Sequence, residues 1–166
     1  MTSDSRSIAA AYDRASTQYD EWQWQEFWRR NEQPLVRGFL EQDGVVDITL
    51  DVGVGTGAYA DLLSEYSHKV VGIDISSGML RVSLVNHPAM THIYANAVEL
   101  PFREDSFQRI IVARVLSHVS SLNYFFRQVS RTLRPGGSLI ITDLDPGHDY
   151  EVINLPRADV MKSRYG

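Results

Sequence analysis

Thr49-Leu50-Asp51-Val52-Gly53-Val54-Gly55-Thr56-Gly57-Ala58-Tyr59-Ala60 decides how this chain folds. An apolar, β-branched run over residues 45–52 leads straight into three glycines at alternate positions. Tyr59, Leu62, Leu63 and Tyr66 then recur at helical spacing. The pattern predicts a strand, a loop bare of side chains, and a helix whose first N–H groups lack intrahelical partners. A ligand can lie directly on such backbone, and the positive end of the helix dipole favours a carboxylate or phosphate there. The stretch reads as a site for a nucleotide-type ligand.

Upstream, residues 1–7 are polar and are expected to form a disordered tip. Ile8, Ala11, Tyr12, Ala15, Tyr19 and Trp22 follow at helical spacing, and Trp24, Phe27 and Trp28 extend an aromatic-rich stretch. Two readings stand: helices packed on the edge of the main sheet, or a lid whose Tyr12 or Tyr19 closes over the ligand. Pro34 suits the start of a further helix running to Leu40, and Gln42-Asp43-Gly44 is the turn into the first strand. Residues 1–40 are therefore set apart as a helical lid or cap, and 41–166 as the ligand-binding domain.

Downstream, Lys69-Val70-Val71-Gly72-Ile73-Asp74-Ile75 scarcely alternates, as a strand buried on both faces does. It ends on Asp74, where a carboxylate can accept both hydroxyls of a ribose. Helix capping is the competing role for Asp74, but Ser76 and Ser77 are on hand for that. The helix from Ser77 stops before Pro88. Residues 91–95 and 108–113 supply a third and a fourth strand. Leu122, Phe125, Phe126, Val129 and Leu133 make a helical stripe read as core, capped by Ser120 or Ser121. Arg134-Pro135-Gly136-Gly137 breaks that helix, and residues 138–142 form a fifth strand ending at Asp143. Strands alternating with helices give an α/β fold with a doubly wound, mainly parallel sheet, whose ligands bind beyond the strand C-terminal ends.

Composition narrows the classes. The chain has 166 residues, enough for one domain with a useful core, and its 43% hydrophobic and 22% charged content is ordinary. The net charge of −5 and the absence of a basic run argue against a nucleic-acid surface. There is no cysteine, hence no disulfide, thiolate metal site or cysteine nucleophile. No apolar stretch reaches the ~20 residues that span a bilayer, and the polar start lacks a signal-peptide core, so the expected location is cytoplasmic. His68, His87 and His92 are scattered without ligand spacing, so no metal site is expected. Asp143 and Asp145 could bracket a cation, but a turn before Pro146-Gly147 explains them equally well.

Gly53-x-Gly55-x-x-Ala58 also satisfies the looser dinucleotide fingerprint, so the glycines alone leave two cofactors open. The order of the motifs separates them. Asp51-x-Gly53-x-Gly55-x-Gly57, then Val71-Gly72-Ile73-Asp74-Ile75-Ser76, then Asn96-Ala97-x-x-Leu100-Pro101-Phe102, then Leu133-Arg134-Pro135-Gly136-Gly137 closely resemble the class I S-adenosylmethionine-dependent methyltransferases. Within them, the likeness is to the small-molecule branch that includes ubiquinone and sugar methyltransferases. It covers roughly residues 8–145 and implies the Rossmann-like fold of that family.

The resemblance implies that Asp51, Gly53, Gly55 and Gly57 hold the methionine portion of S-adenosylmethionine. Asp74 would take the ribose hydroxyls, Ile75 and Met79 would pack on the adenine, and Asn96 and Ala97 would read its edge. Family members usually carry aspartate at the Asn96 position, so the neutral amide is a weaker acceptor for the adenine amino group. Arg114 would line the methionine and acceptor side, and Tyr12 and Tyr19 match N-terminal tyrosines that cover the cofactor. His118, in Ser117-His118-Val119, is the first candidate for a general base and His148 the second, against a purely structural role for either. The expected reaction is in-line displacement of a sulfonium methyl by a small-molecule acceptor. Two other readings stay open: an inactive S-adenosylmethionine-binding module or fragment, and an NAD(P)-dependent oxidoreductase.

Family domains usually continue past the fifth strand with another helix and a two-strand hairpin, for which this chain has too few residues. Residues 151–164 could supply one more element. A fragment, a natural short form, or a homo-oligomer covering the exposed sheet edge are the three expectations that follow.

Overall fold

The computed structural model describes residues 3–143. His148, Asp145, Pro146-Gly147 and the element expected over 151–164 lie outside the described residues. Five strands, β1 (Val46–Val52), β2 (Ser67–Asp74), β3 (Thr91–Tyr94), β4 (Phe107–Ala113) and β5 (Leu133–Thr142), form one sheet in the order β3-β2-β1-β4-β5. Every pairing is parallel. The chain runs from central β1 out to β3, then crosses back to β4 on the other side. That crossing is the topological switch point, and it lies between β1 and β4.

Both faces of the sheet are buried, as the near-continuous apolar strands require. Leu50, Val52, Ile73, Ile110 and Val112 point to one face and pack under Phe125 and Val129 of α6 (Leu122–Thr132). Val70, Ile111 and Ile140 take the other, with Val36 and Leu40 of α3 (Gln33–Asp43), Leu63 of α4 (Ala60–Glu65) and Leu80 of α5 (Ser77–Asn86). Ser76 caps α5 by accepting from the Met79 N–H at 3.1 Å, and Ser121 caps α6 by accepting from Tyr124 at 3.4 Å.

Four expectations change. Residues 3–7 are not a loose tip: α1 runs over Ser3–Ala15. Its Asp13 carboxylate accepts the Gly78 N–H and the Ser76 hydroxyl, both at 2.7 Å, and so ties α1 to the N-terminus of α5. The helix expected directly after the glycines begins only at Ala60, because tight turns from Gly57 to Val54 and from Ala60 to Gly57 occupy the residues before it. With only six residues, α4 leaves ligand recognition to the loop's backbone more than to a helix dipole. Pairing in β5 starts at Leu133, five residues early; the Arg134-Pro135-Gly136-Gly137 break is a bulge where the register jumps between Phe107 and Arg109. Finally, the α6 stripe is core only at Phe125 and Val129. Leu122 (46% exposed) and Phe126 (37%) stay open to solvent, and β5 has β4 as its single strand neighbour among the described residues.

The lower end of the sheet is held by a buried charge. Arg109, fully buried, donates Nε to Asp43 Oδ2 at 2.9 Å, Nη1 to the Tyr66 carbonyl at 3.0 Å and Nη2 to the Gly44 carbonyl at 2.6 Å. The Ser138 hydroxyl donates to the same Asp43 oxygen. One guanidinium thus joins the end of α3 to the β-strands at the foot of the core.

Candidate functional site

A cleft opens at the upper, C-terminal end of the sheet, over the switch point. Its floor is the glycine loop. Gly53 and Val54 donate their N–H groups to the Ile73 carbonyl at 2.8 and 2.9 Å, which clamps the loop to β2. Gly53 (φ +76°) has no room for a side chain, since a Cβ would stand 2.4 Å from Val115 Cγ2. Gly55 (φ +56°) faces open space, its nearest neighbour being the Gly53 carbonyl at 3.9 Å. Bare backbone therefore fronts the cleft. Gly57 turns the other way, against Ser83 of α5 and His87 just past its end, and does not line it.

Asp74 lines the cleft with both carboxylate oxygens fixed: Oδ2 accepts the Gly55 N–H at 2.9 Å and Oδ1 the Ser76 N–H at 2.7 Å. Burial pushes its carboxyl up to about 6, beyond what those backbone bonds pull down. Asp51 lies beneath the loop, 2% exposed, and is not part of the cleft wall. Burial, then the Asp74 charge, raises it to about 7, against the pull of Arg114. Two carboxyls thus sit near neutrality at the end of the sheet where ligands bind.

Ile75, Met79, Asn96 and Ala97 line one side together. The Asn96 side-chain oxygen already accepts the Val98 N–H at 3.2 Å, so its remaining lone pair is what faces a ligand. On the other side stand Tyr12, Tyr19, Arg114 and His118. The Tyr12 hydroxyl and His118 Nε2 are hydrogen-bonded at 2.8 Å, and the Tyr12 ring meets those of His118 and Tyr19 edge-on. A short 3-10 turn over Leu116–His118 presents the imidazole, and the Asp143 carboxylate accepts that turn's Leu116 N–H at 2.7 Å. Asp143 thus serves the loop's backbone. His87 bonds Asp61 and His92 bonds Ser83, outside the cleft, and no group of three metal-ligating side chains gathers among the described residues. Likewise, no described helix is long and apolar enough to cross a membrane.

Arg114 follows β4 in the left-handed region (φ +59°), a strained setting for a residue with a Cβ. Its Nη1 donates to Glu32 Oε2 at 2.8 Å, and the guanidinium lies 5.2 Å from the centre of the Trp28 ring. Glu32 also accepts the Tyr59 hydroxyl at 2.7 Å, and with burial it drives that phenol's pKa up. Asp20, in the 3-10 turn between α1 and α2 (Gln23–Asn31), accepts the Thr56 hydroxyl at 2.6 Å and joins that segment to the glycine loop. Sequence reasoning missed Asp13, Asp20, Trp28 and Glu32. Their partners lie 27 to 86 residues away, and no local pattern encodes them.

Residues 50–141 match the family model described as "Methyltransferase domain". The chain belongs to the class I S-adenosylmethionine-dependent methyltransferases. This family member is 32% identical over 138 residues to the demethylmenaquinone methyltransferase of Tropheryma whipplei strain Twist, covering 82% of this chain and 55% of that protein. It is 29% identical over 152 residues to the malonyl-[acyl-carrier protein] O-methyltransferase of Erwinia pyrifoliae, covering 92% and 56%. A crystal structure of an S-adenosylmethionine-dependent methyltransferase from Mesorhizobium loti superposes with a TM-score of 0.63 at 29% identity, over 69% of this chain and 54% of that one. The chain spans about half the length of these methyltransferases.

Proposed function

We propose that this chain binds S-adenosylmethionine and carries methyl transfer to a small organic acceptor. The observation that carries the reading is one cleft joining the Gly53–Gly55 backbone, the doubly anchored Asp74 carboxylate and the apolar Ile75–Met79 wall. Acidic and apolar groups at that spacing fit a nucleoside: hydroxyls donate to Asp74, and a base slots against Ile75 and Met79. Open backbone at Gly55 leaves space for the methionyl chain. The relatives named above methylate a quinone and a carrier-bound malonyl group, unlike acceptors, so the donor half is what this chain has in common with them.

When bound, the cofactor supplies a sulfonium-linked methyl group open to in-line attack by a nucleophile. The protein's part is alignment and exclusion of water. Tyr12 and Tyr19, from the helical segment before β1, line the cleft and would shield the cofactor from water. For an acceptor that must lose a proton, the Tyr12–His118 pair provides the route: the phenol takes the acceptor's proton while passing its own to Nε2.

Calorimetric titration tests the donor. S-adenosylhomocysteine should bind at one site and Asp74→Ala should abolish the heat, whereas NAD should give none. Binding of NAD in place of S-adenosylhomocysteine refutes the reading. A methyl-transfer assay on quinol and carboxylate acceptors, with Gly55→Val as the blocked control, then separates an enzyme from a binding module.

A further inference from the structure

The connection between β3 and β4, residues 95–106, contains no helix or strand, and its first part, residues 95–98, lines the cleft. At its start the Ala95 N–H donates to the Asp74 carbonyl at 3.0 Å. At its end the Asp105 and Ser106 N–H groups donate to the Arg131 and Thr132 carbonyls of α6 at 3.0 and 2.9 Å. The middle is held by a side chain. Arg131 donates Nη1 to the Phe102 carbonyl at 2.7 Å and Nη2 to the Leu100 carbonyl at 3.0 Å, and Gln128 accepts from the same Nη2 at 2.8 Å. No carboxylate pairs with this guanidinium among the described residues, so its donors go to the backbone of one loop. Pro101, between the two carbonyls, has a fixed φ and no N–H, which makes a stiff target for a planar fork. Just upstream, the Asn96 carbonyl accepts the Glu99 N–H at 2.9 Å and its side-chain oxygen accepts the Val98 N–H. A shift at Leu100 is thereby passed back to the residues that face the cleft.

We propose that Arg131 is a positioning residue for base selectivity: by gripping Leu100 and Phe102 it sets residues 95–98 where they discriminate adenine from other purines. This rests on the donor reading above, in which the base lies against Ile75 and Met79, on the same side of the cleft as Asn96 and Ala97. Arg131 does not line the cleft and acts only through the loop. Placement matters here because Asn96 is neutral and shares its oxygen with Val98, so recognition depends on geometry more than on charge. Adenine presents an amino donor beside a ring acceptor, and its 6-oxo counterpart presents an acceptor beside a ring N–H. One fixed loop cannot suit both edges.

Calorimetry with two probes, S-adenosylhomocysteine and its deaminated 6-oxo form, S-inosylhomocysteine, reads selectivity apart from affinity. The wild-type chain should prefer S-adenosylhomocysteine by about 10-fold or more. Arg131→Gln should weaken that ligand roughly 3- to 10-fold and leave the deaminated one within about twofold, so that the preference shrinks. Arg131→Lys, which can still donate to one carbonyl, should recover part of the preference. An arginine that only stabilises the fold would cost both ligands equally. Equal loss, or no loss, overturns the proposal while leaving the donor reading intact, and so does a wild-type chain that binds both probes alike. A wild-type chain that binds neither overturns both. Should Arg131→Gln fail to fold, Arg131→Lys decides alone: a preference below that of wild type supports the proposal, and an unchanged preference overturns it.

Discussion

Each end of the sheet buries an arginine against a carboxylate, and the two pairs are built differently. At the foot, Arg109 directs Nε, Nη1 and Nη2 to protein oxygens, and it is fully buried. Burial alone would raise the Asp43 carboxyl, but bonds from Ser138 and Arg109 outweigh it and hold it below its ordinary value. At the top, Arg114 uses one nitrogen, its backbone is left-handed, and the carboxyls of Asp51 and Asp74 are pushed up to about 7 and about 6. A closed charge network adds to folding; an open one keeps its remaining capacity for a ligand. The same fold thus separates stability from binding along the length of its strands.

The sharpest way to break this contrast is at the foot. Arg109→Ala leaves Asp43 and two carbonyls without their donor inside the core, and should lower unfolding free energy by about 3–5 kcal/mol. Urea denaturation measures it. A change under about 1 kcal/mol would mean that the pair is not what closes that end.

The top should answer in the opposite sense. Asp74→Asn removes a buried charge and also the anionic acceptor for two hydroxyls. S-adenosylhomocysteine affinity should fall roughly 10- to 100-fold, while the unliganded protein melts within a few degrees of wild type, because relief of the buried charge offsets the loss of one of the two backbone acceptors. pH sharpens the same point. Because the Asp74 carboxyl sits near 6, affinity should hold at pH 7.5 and fall as pH drops below about 6, towards tenfold per unit. In Asp74→Asn the profile should be flat over that window.

Asp51 tests whether the buried carboxylate at the top is tolerated at the expense of stability. Its folded pKa is raised, so the native state binds the extra proton between about pH 4 and about pH 7. Its contribution therefore worsens as pH rises through that window and levels off above it. Asp51→Asn should gain stability relative to wild type over the same window, reaching roughly 4 kcal/mol at pH 8. Thermal melts at pH 4.5, 6 and 8 resolve the trend, and a gain that shrinks with rising pH contradicts it.

How much of this was visible in the sequence follows from where the information sits. β1, β2 and β4 were legible because Leu50, Val52, Ile73, Ile110 and Val112 carry their burial in their own apolar runs. The cleft was legible at Gly53, Gly55 and Asp74, where backbone geometry or a strand-end carboxylate leaves a local mark. Asp51 and Gly57 belong to the same motif, yet they face under and behind the loop, a distinction that spacing cannot make. Nor does any periodicity show that Glu32 meets Arg114 or that Asp20 meets Thr56, since those encounters depend on how α1–α3 dock. The exposed half of the α6 stripe has a similar origin. Helical spacing specifies which residues share a face, while what covers that face is set by the neighbouring elements.

The smallest expected effect comes from the seam between the helical layer and the glycine loop. Thr56 is 4% exposed and donates to Asp20 at 2.6 Å. Thr56→Val keeps the shape and removes that one donor, and Asp20, on the exposed side, can turn to water. The loss should be about 1 kcal/mol of stability, the ordinary net value of one hydrogen bond. Ligand affinity should stay within about threefold, because the loop's own clamp, from Gly53 and Val54 to Ile73, is untouched. If affinity instead falls as far as in Asp74→Asn, the loop is held in its binding shape by the helical layer rather than by β2. Stability and binding would then be joined at this seam, and the division between the two ends of the sheet would stop short of the helical layer.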